Sequence, residues 1–166
     1  MPAHATNPYA GLRHQALTLD PASIGLHPSP QVPQVFVGLM EMGMEGGVAS
    51  LVVIADGTTS MYWSTGGGII GAGFHEPVKG PSKAFLAALE RHANEMADDD
   101  PAHQLPENGM IHLRARTFAG RCLVAAARSQ DFVEKRHPLW EAFYVGNAVI
   151  TAMRQLPSVQ NSQLGR

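Results

Sequence analysis

The residues best suited to chemistry lie in one short stretch, from Ser64 to Glu76. Five glycines fall between Gly66 and Gly73, and the backbone N–H groups of such a segment can form a concave nest for a phosphate or a carboxylate. The candidate ligand-binding residues are Ser64, Thr65, Gly66, Gly67, Gly68, His75 and Glu76. The simpler interpretation is a tight turn that needs glycine for steric reasons, and it is the favoured one.

The known catalytic and cofactor-binding motifs are not matched. Gly66–Gly71 fits GxGxxG, but Pro77 and Gly80-Pro81 are expected to delay the following helix, whereas a dinucleotide fold needs it at once. No lysine follows in the position that a phosphate-binding P-loop requires. In the HExxH pattern, Lys79 stands where the second histidine must be, and no GxSxG nucleophile turn is present.

His75 and Glu76 could form an acid–base pair beside the glycines, but two neighbouring polar residues in a loop are more often simply exposed. The eight histidines are scattered without metal-ligand spacing. The sequence therefore predicts no catalytic residues, no metal and no cofactor, and it favours a protein that is not an enzyme.

A second candidate site is the basic row His112, Arg114 and Arg116, which alternates with apolar residues along a predicted strand. This row could bind an acidic protein or a small anion, or it could be solvated or paired with nearby acids. It contains no aromatic residue for base stacking. Together with a formal net charge of −2, this makes nucleic acid an unlikely partner.

Cys122 is the only cysteine, so no intramolecular disulfide is possible and a reducing compartment is favoured. Its position inside a predicted strand indicates a buried, inert thiol. The first residues lack the basic and apolar regions of a secretory signal, and no apolar run reaches the roughly 18 residues that a membrane span needs. We therefore expect a cytoplasmic protein.

A β-hairpin precedes the glycine-rich stretch. Ala49–Ala55 is apolar and β-branched, and Thr58–Ser64 is rich in Thr, Tyr and Trp, compositions that favour strands. Asp56-Gly57 between them is typical of a two-residue type I′ turn. A further short strand is expected at Gly68–Ala72.

The remaining elements follow from hydrophobic periodicity. Strands are predicted at Gln34–Met42, Met110–Phe118 and Arg121–Arg128, and helices at about 80–97 and Pro138–Leu156. In the first strand, one face would carry Val35, Val37 and Leu39, and the other Phe36, Met40 and Met42. The three aspartates Asp98–Asp100 are expected in a solvated loop.

The chain of 166 residues divides into a proline-rich N-terminal arm (1–33), a single α+β domain (34–157) and a polar tail (158–166). Prolines at the density of the arm are expected to prevent a regular helix. The domain is predicted to hold an antiparallel sheet of about five to six strands, in the order β-β-β-(β)-α-β-β-α, with two helices packed on it.

This element order, over roughly 34–156, resembles that of profilin-like and roadblock-like small domains. The resemblance implies a dimerising or ligand-docking platform. The unmatched catalytic motifs and the apolar residues on both faces of the sheet favour a non-catalytic interaction module that self-associates through an exposed sheet edge, the second helix or the arm. The alternative is a small-molecule or anion-binding protein, which could be an enzyme, that uses residues 64–76.

Overall fold

The computed structural model describes residues 7–159 as one antiparallel sheet with helices. The helices are α1 (Tyr9–Thr18), α2 (Glu76–Arg91), α3 (Ser129–Val133) and α4 (Trp140–Arg154), and the strands are β1 (Val35–Met44), β2 (Gly47–Ile54), β3 (Thr59–Trp63), β4 (Gly68–Ile69), β5 (Ala97–Asp98), β6 (Met110–Thr117) and β7 (Cys122–Arg128). The strand order is β4-β3-β2-β1-β6-β7-β5. The α+β class is confirmed, with seven strands in place of the expected five to six.

Helices α2 and α4 cover one face of the sheet. Met40, Leu51 and Leu113 on that face are fully buried, in one apolar cluster with residues of both helices. Gly38 brings β1 close to α2, since a Cβ atom there would lie 2.6 Å from Cδ1 of Leu89. This layer supplies most of the hydrophobic core.

The N-terminal segment covers part of the opposite face. Ala16 and Leu17 of α1 are buried in a second apolar cluster with Phe36, Leu39 and Val52. The sheet therefore lies between two layers, and part of its second face is shielded from water by residues that precede β1.

The prediction that residues 1–33 form an extended arm without helix is corrected for the described part, because α1 and a 3-10 turn at Pro21–Ile24 lie within it. Two prolines stand where a helix tolerates them: Pro8 is the N-cap of α1, and Pro21 begins the 3-10 turn. At those positions no intrahelical N–H is needed. Residues 1–6 of the arm and 160–166 of the tail lie outside the described residues.

The predicted faces of β1 are also corrected. A β-bulge shifts the β1–β6 register between Val35 and Val37. Phe36 consequently packs with Val37 and Leu39 on the second face, and not with Met40. The bulge places one extra residue in β1, which changes the alternation of side chains from that point on.

The β2–β3 hairpin is confirmed, but its turn differs from type I′. The N–H of Gly57 donates to the carbonyl of Ile54 at 3.0 Å, and the N–H of Ile54 donates to that of Thr58 at 2.8 Å. Gly57 has a positive φ of 101° and Asp56 does not. The loop is therefore a three-residue connection that ends in a left-handed glycine.

Several element boundaries differ from those predicted. Helix α2 ends at Arg91 instead of 97. It begins at Glu76 instead of about 80, because Pro77 fits its first turn and Gly80, which has no Cβ, relieves the clash with the ring of Pro81. Strand β4 ends at Ile69, since a 3-10 turn follows at Ala72–Phe74. The short elements β5 and α3 were not predicted.

The earlier start of α2 brings a helix nearer to the glycines than expected, but the sheet beside it is antiparallel throughout. A dinucleotide-binding fold has a mostly parallel sheet. The GxGxxG match is therefore coincidental.

Candidate functional site

The glycine-rich segment forms the turn between β3 and β4. Gly66 and Gly67 have positive φ values of 113° and 84°. The N–H of Gly66 donates to the carbonyl of Trp63 at 2.9 Å, and the N–H of Trp63 donates to that of Gly67 at 3.2 Å. Gly66, Gly67 and Gly68 are exposed, as is Thr65. These contacts close a hairpin turn on the protein surface.

Ser64 joins this turn to β2. Its hydroxyl accepts the N–H of Val48 at 2.8 Å, and its carbonyl accepts a hydrogen bond from the side-chain amide of Asn7. The Ser64 hydroxyl is therefore engaged in holding the start of the turn.

His75 and Glu76 lie at the start of α2, and both are exposed. Nζ of Lys79 donates to Oε1 of Glu76 at 2.9 Å, and this hydrogen bond lowers the pKa of Glu76. Among the described contacts, none joins His75 to Glu76. Their arrangement is an exposed helix start with an i,i+3 ion pair.

A cavity beside the segment lies between the β2–β3 turn and α2. It has a volume of about 630 Å³, and the glycine-rich stretch contributes Gly73 and Phe74 to its wall. Gly73 packs directly on the hairpin turn, because a Cβ atom there would lie 1.8 Å from the carbonyl oxygen of Gly57. Residues Ser64–Gly68, His75 and Glu76 do not line this cavity.

A second cavity of about 490 Å³ adjoins the first along α2. Both are lined by Ala55, Lys83 and Leu86, so together they form one groove, here called the α2 groove. Residues 30–33 form the far wall of its second half. Sequence reasoning missed this groove, because three segments distant in the chain build it.

The basic row is placed on the second face of the sheet, beneath the N-terminal layer. The Arg114 side chain is 1% exposed; its Nε donates to Oδ2 of Asp99 at 2.8 Å, and its guanidinium also pairs with Glu41. Arg116 donates to the carbonyl of Leu19 and lies 5.1 Å from the ring centre of Phe36. The basic row was expected either to bind an acidic partner or anion, or to be solvated or paired with nearby acids. Arg114 is paired with nearby acids.

His112 completes that row and is half-buried. Its Nδ1 lies 3.1 Å from the carbonyl oxygen of Gln104. Burial, together with the positive charge of Arg114, lowers the pKa of His112. The imidazole is thus favoured in its neutral form within this cluster.

The centre of the cluster is Glu41, which sequence reasoning missed as a functional or structural residue. Its carboxylate is fully buried and accepts hydrogen bonds from Nε and Nη2 of Arg13 at 2.8 and 2.9 Å, and from the hydroxyl of Ser50 at 2.7 Å. Burial by itself would raise the pKa of Glu41, but the hydrogen bonds and charges of Arg13 and Arg114 outweigh it and lower the pKa.

Asp99, His103 and Cys122 form the group of the described residues that comes closest to a metal site. Their ligand atoms lie within 4.8 Å of one another. However, Oδ2 of Asp99 already accepts hydrogen bonds from Arg114 and from Nδ1 of His103 at 2.7 Å. Burial raises the pKa of Cys122 to about 11, which opposes the thiolate that a metal requires. The chemistry of this group favours hydrogen bonding over metal binding.

The expectation that all three aspartates Asp98–Asp100 are solvated is corrected for Asp99, whose side chain is 5% exposed. Asp98 remains 73% exposed and pairs with Arg121. Asp99 turns inward because Arg114 stands beneath it on β6, and a buried cation needs a counter-ion.

No helix in the described part of the chain has the length and apolar character needed to cross a membrane. Comparison with known family models, curated proteins and solved structures gave no match to this chain. The function must therefore be argued from the geometry of these residues.

Proposed function

We propose that this chain is a non-catalytic interaction module that self-associates through the sheet edge at β4. The observation that carries the proposal is a pair of apolar side chains beside that edge: Ile70 is 73% exposed and Phe74 is 86% exposed. These are the two most exposed of the large hydrophobic side chains in the described residues. Burying one such side chain contributes about 1.5–3 kcal/mol.

The two edges of the sheet differ in a way that supports this choice. At the β5 edge, the side chains of Asp98 and Arg121 are largely exposed and charged, and charged edges discourage strand pairing. The residues around β4, from Thr65 to Gly71, include no charged side chain. Because β4 has only two residues, its backbone offers few hydrogen bonds to a second chain, so in this proposal Ile70 and Phe74 supply most of the contact.

The proposed dimer is isologous. Two β4 edges pair in antiparallel fashion around a two-fold axis, so that the same patch is buried on both copies. The resemblance to profilin-like and roadblock-like domains, which implies a dimerising platform, belongs to the same proposal. So does the cytoplasmic location expected from the single cysteine.

Sedimentation velocity over a wide concentration range tests the proposal. The wild-type chain is expected to sediment as a dimer at high concentration, and Ile70→Lys to sediment as a monomer. Val133→Lys is the matched control, since Val133 is also exposed, at 52%, but lies in α3. A wild-type chain that stays monomeric at high concentration overturns the proposal; equal disruption by both variants overturns the choice of the β4 edge.

A second candidate function is binding of a small molecule or anion by residues 64–76. It is favoured by the backbone of Gly66–Gly68, which is exposed and has positive φ at Gly66 and Gly67, a conformation that can present N–H groups to an anion. Titration with inorganic phosphate, followed by NMR, tests it: shifts of the Gly66–Gly68 amides would support it. Shifts confined to the lysines would exclude a role for the glycine-rich turn.

A further inference from the structure

The α2 groove has the dimensions of a binding site for a short extended chain. It follows α2 from Lys79 to Arg91. The twelve steps of about 1.5 Å between these two residues span about 18 Å, which corresponds to roughly five residues of extended peptide at about 3.3 Å each. The volume is divided between two adjoining cavities, so it suits an elongated occupant better than a compact one.

The cation at the centre of the groove is Lys83, whose charge also contributes to the lowered pKa of Glu76. Lys83 lies where the two cavities meet, and within the described residues it forms no hydrogen bond or ion pair. The neighbouring cations are engaged: Lys79 pairs with Glu76, and Arg91 with Glu141. Lys83 is thus the groove cation that is available to a ligand.

The acids that line the groove are already held by backbone donors. Oε2 of Glu90 accepts the N–H of Val35 at 2.7 Å, and Oδ1 of Asp56 accepts the N–H of Thr58 at 2.9 Å. These contacts fix both carboxylates on the protein backbone. Both carboxylates keep their negative charge, but each already has a hydrogen-bond donor. Lys83 is the charged group at the junction that has no such partner among the described residues.

The walls on either side of that cation carry apolar groups. The first cavity is lined by Val53 and Phe74, and the second by Val32 and Ala87. An occupant that complements this pattern carries one carboxylate with apolar side chains before and after it.

We propose that the α2 groove binds an extended peptide segment of a partner protein, with an aspartate or glutamate at Lys83 and apolar residues in the two cavities. This site shares Phe74 with the patch beside the β4 edge, but its other lining residues lie outside that patch, and binding there needs no self-association. The acidic side chain positions the segment, and the apolar residues supply most of the affinity.

Selection from a displayed library of random heptapeptides tests the proposal. Peptides enriched on the wild-type protein are expected to share an acidic residue flanked by apolar residues. The best of them is then synthesised, and its Kd is measured by isothermal titration calorimetry. Failure to enrich any peptide, or enrichment of apolar peptides without a conserved acid, overturns the proposal.

Two variants and one control sharpen this measurement. Lys83→Glu is expected to weaken binding of the selected peptide by at least about tenfold, since it places like charges in contact. Arg128→Glu makes the same charge reversal at an exposed position of β7, opposite Met110 at the far end of the sheet, and is expected to leave the Kd within about twofold. Equal effects of the two reversals overturn the assignment to Lys83.

Ala87→Phe distinguishes a peptide from a small molecule. Ala87 is exposed and lines the second cavity but not the first. A peptide that occupies both cavities is expected to lose about tenfold or more in affinity. An unchanged Kd would mean that the occupant fills the first cavity alone, which overturns the proposal of an extended segment.

Discussion

The contact between Arg13 and Glu41 is predicted to hold α1 on the sheet. Arg13 donates two hydrogen bonds to a carboxylate that is 0% exposed, and its own side chain is only 12% exposed. Only three residues of α1 are buried, and its N-cap makes no side-chain hydrogen bond. The apolar contacts of α1 are therefore few. Its docking should depend on Arg13, together with the Tyr9 hydroxyl, which lies 2.6 Å from Oγ of Ser50.

Replacing Arg13 by Met keeps much of the aliphatic length and removes the charge. Breaking a fully buried pair costs about 3–5 kcal/mol, but here Glu41 keeps Arg114 and Ser50 as partners. The loss is also limited because α1 can detach and let water reach the carboxylate. We therefore expect the free energy of unfolding to fall by about 2–3 kcal/mol, near the value of one charge-assisted hydrogen bond and below that of two.

Urea unfolding followed by circular dichroism measures this loss, and amide hydrogen exchange locates it. The amides of Tyr9–Thr18 should exchange faster in Arg13→Met than in the wild type. Arg121→Met is the matched control, because Arg121 pairs with Asp98 at 2.8 Å but both side chains are more than half exposed; its cost should be below about 1 kcal/mol. Equal unfolding free energies for the two variants, with α1 equally protected, would refute the reasoning.

Three further predictions follow from single sites. The pKa values of Glu41 and Asp99 are lowered in the folded protein. Their contribution to stability is therefore present above their pKa values in the unfolded chain, near about 4, and is lost as the pH falls through their pKa values in the folded protein. Urea titrations from neutral to acid pH should show this loss of unfolding free energy, and the loss should be smaller in Glu41→Gln. A thiol pKa of about 11 predicts that Cys122 reacts with a disulfide reagent at pH 8 roughly 200-fold more slowly than free cysteine; a rate near that of free cysteine would contradict it. Gly38→Ala, whose Cβ meets a leucine of α2 at 2.6 Å, should destabilise the protein by about 1–3 kcal/mol in thermal unfolding, whereas Gly11→Ala in open space on α1 should not; equal melting temperatures would count against the close packing.

The strands and the hairpin were predictable because their signals are local. The β-branched composition of Ala49–Ala55 and the alternation along Met110–Phe118 arise from neighbouring residues, and the structure has strands at both places. The bulge at Val35–Val37 depends instead on how β1 pairs with β6, some 80 residues later in the chain. No local pattern in β1 contains that information.

Helix α1 was missed for a related reason. With three of its ten residues buried, it carries no continuous apolar stripe that periodicity could detect. Its docking depends on Glu41, 28 residues after Arg13. Pro8 and Pro21 stand at the start of helical segments, where proline is tolerated. The prediction was wrong because it took the prolines to exclude helix from the whole N-terminal arm.

For the glycine-rich segment, the sequence predicted the unusual backbone conformation but not the position of the neighbouring groove. Gly66 and Gly67 did indicate unusual backbone, and both adopt positive φ. The groove next to them is nevertheless formed by the hairpin turn, residues 30–33 and the exposed side of α2. Lys83 looks like any polar residue on the outer face of a helix, and only the tertiary arrangement places it between two cavities.

Glu41 is the position where more could have been inferred from the sequence. It follows Val37 and Leu39 at intervals of two in an apolar strand, so a buried sheet face predicts a buried carboxylate there. A carboxylate inside a protein requires hydrogen bonds and a cation, and the basic row on another strand offered candidates. The identity of the second cation, Arg13, could not be found in the same way, because it arrives from a helix that only the completed sheet stabilises.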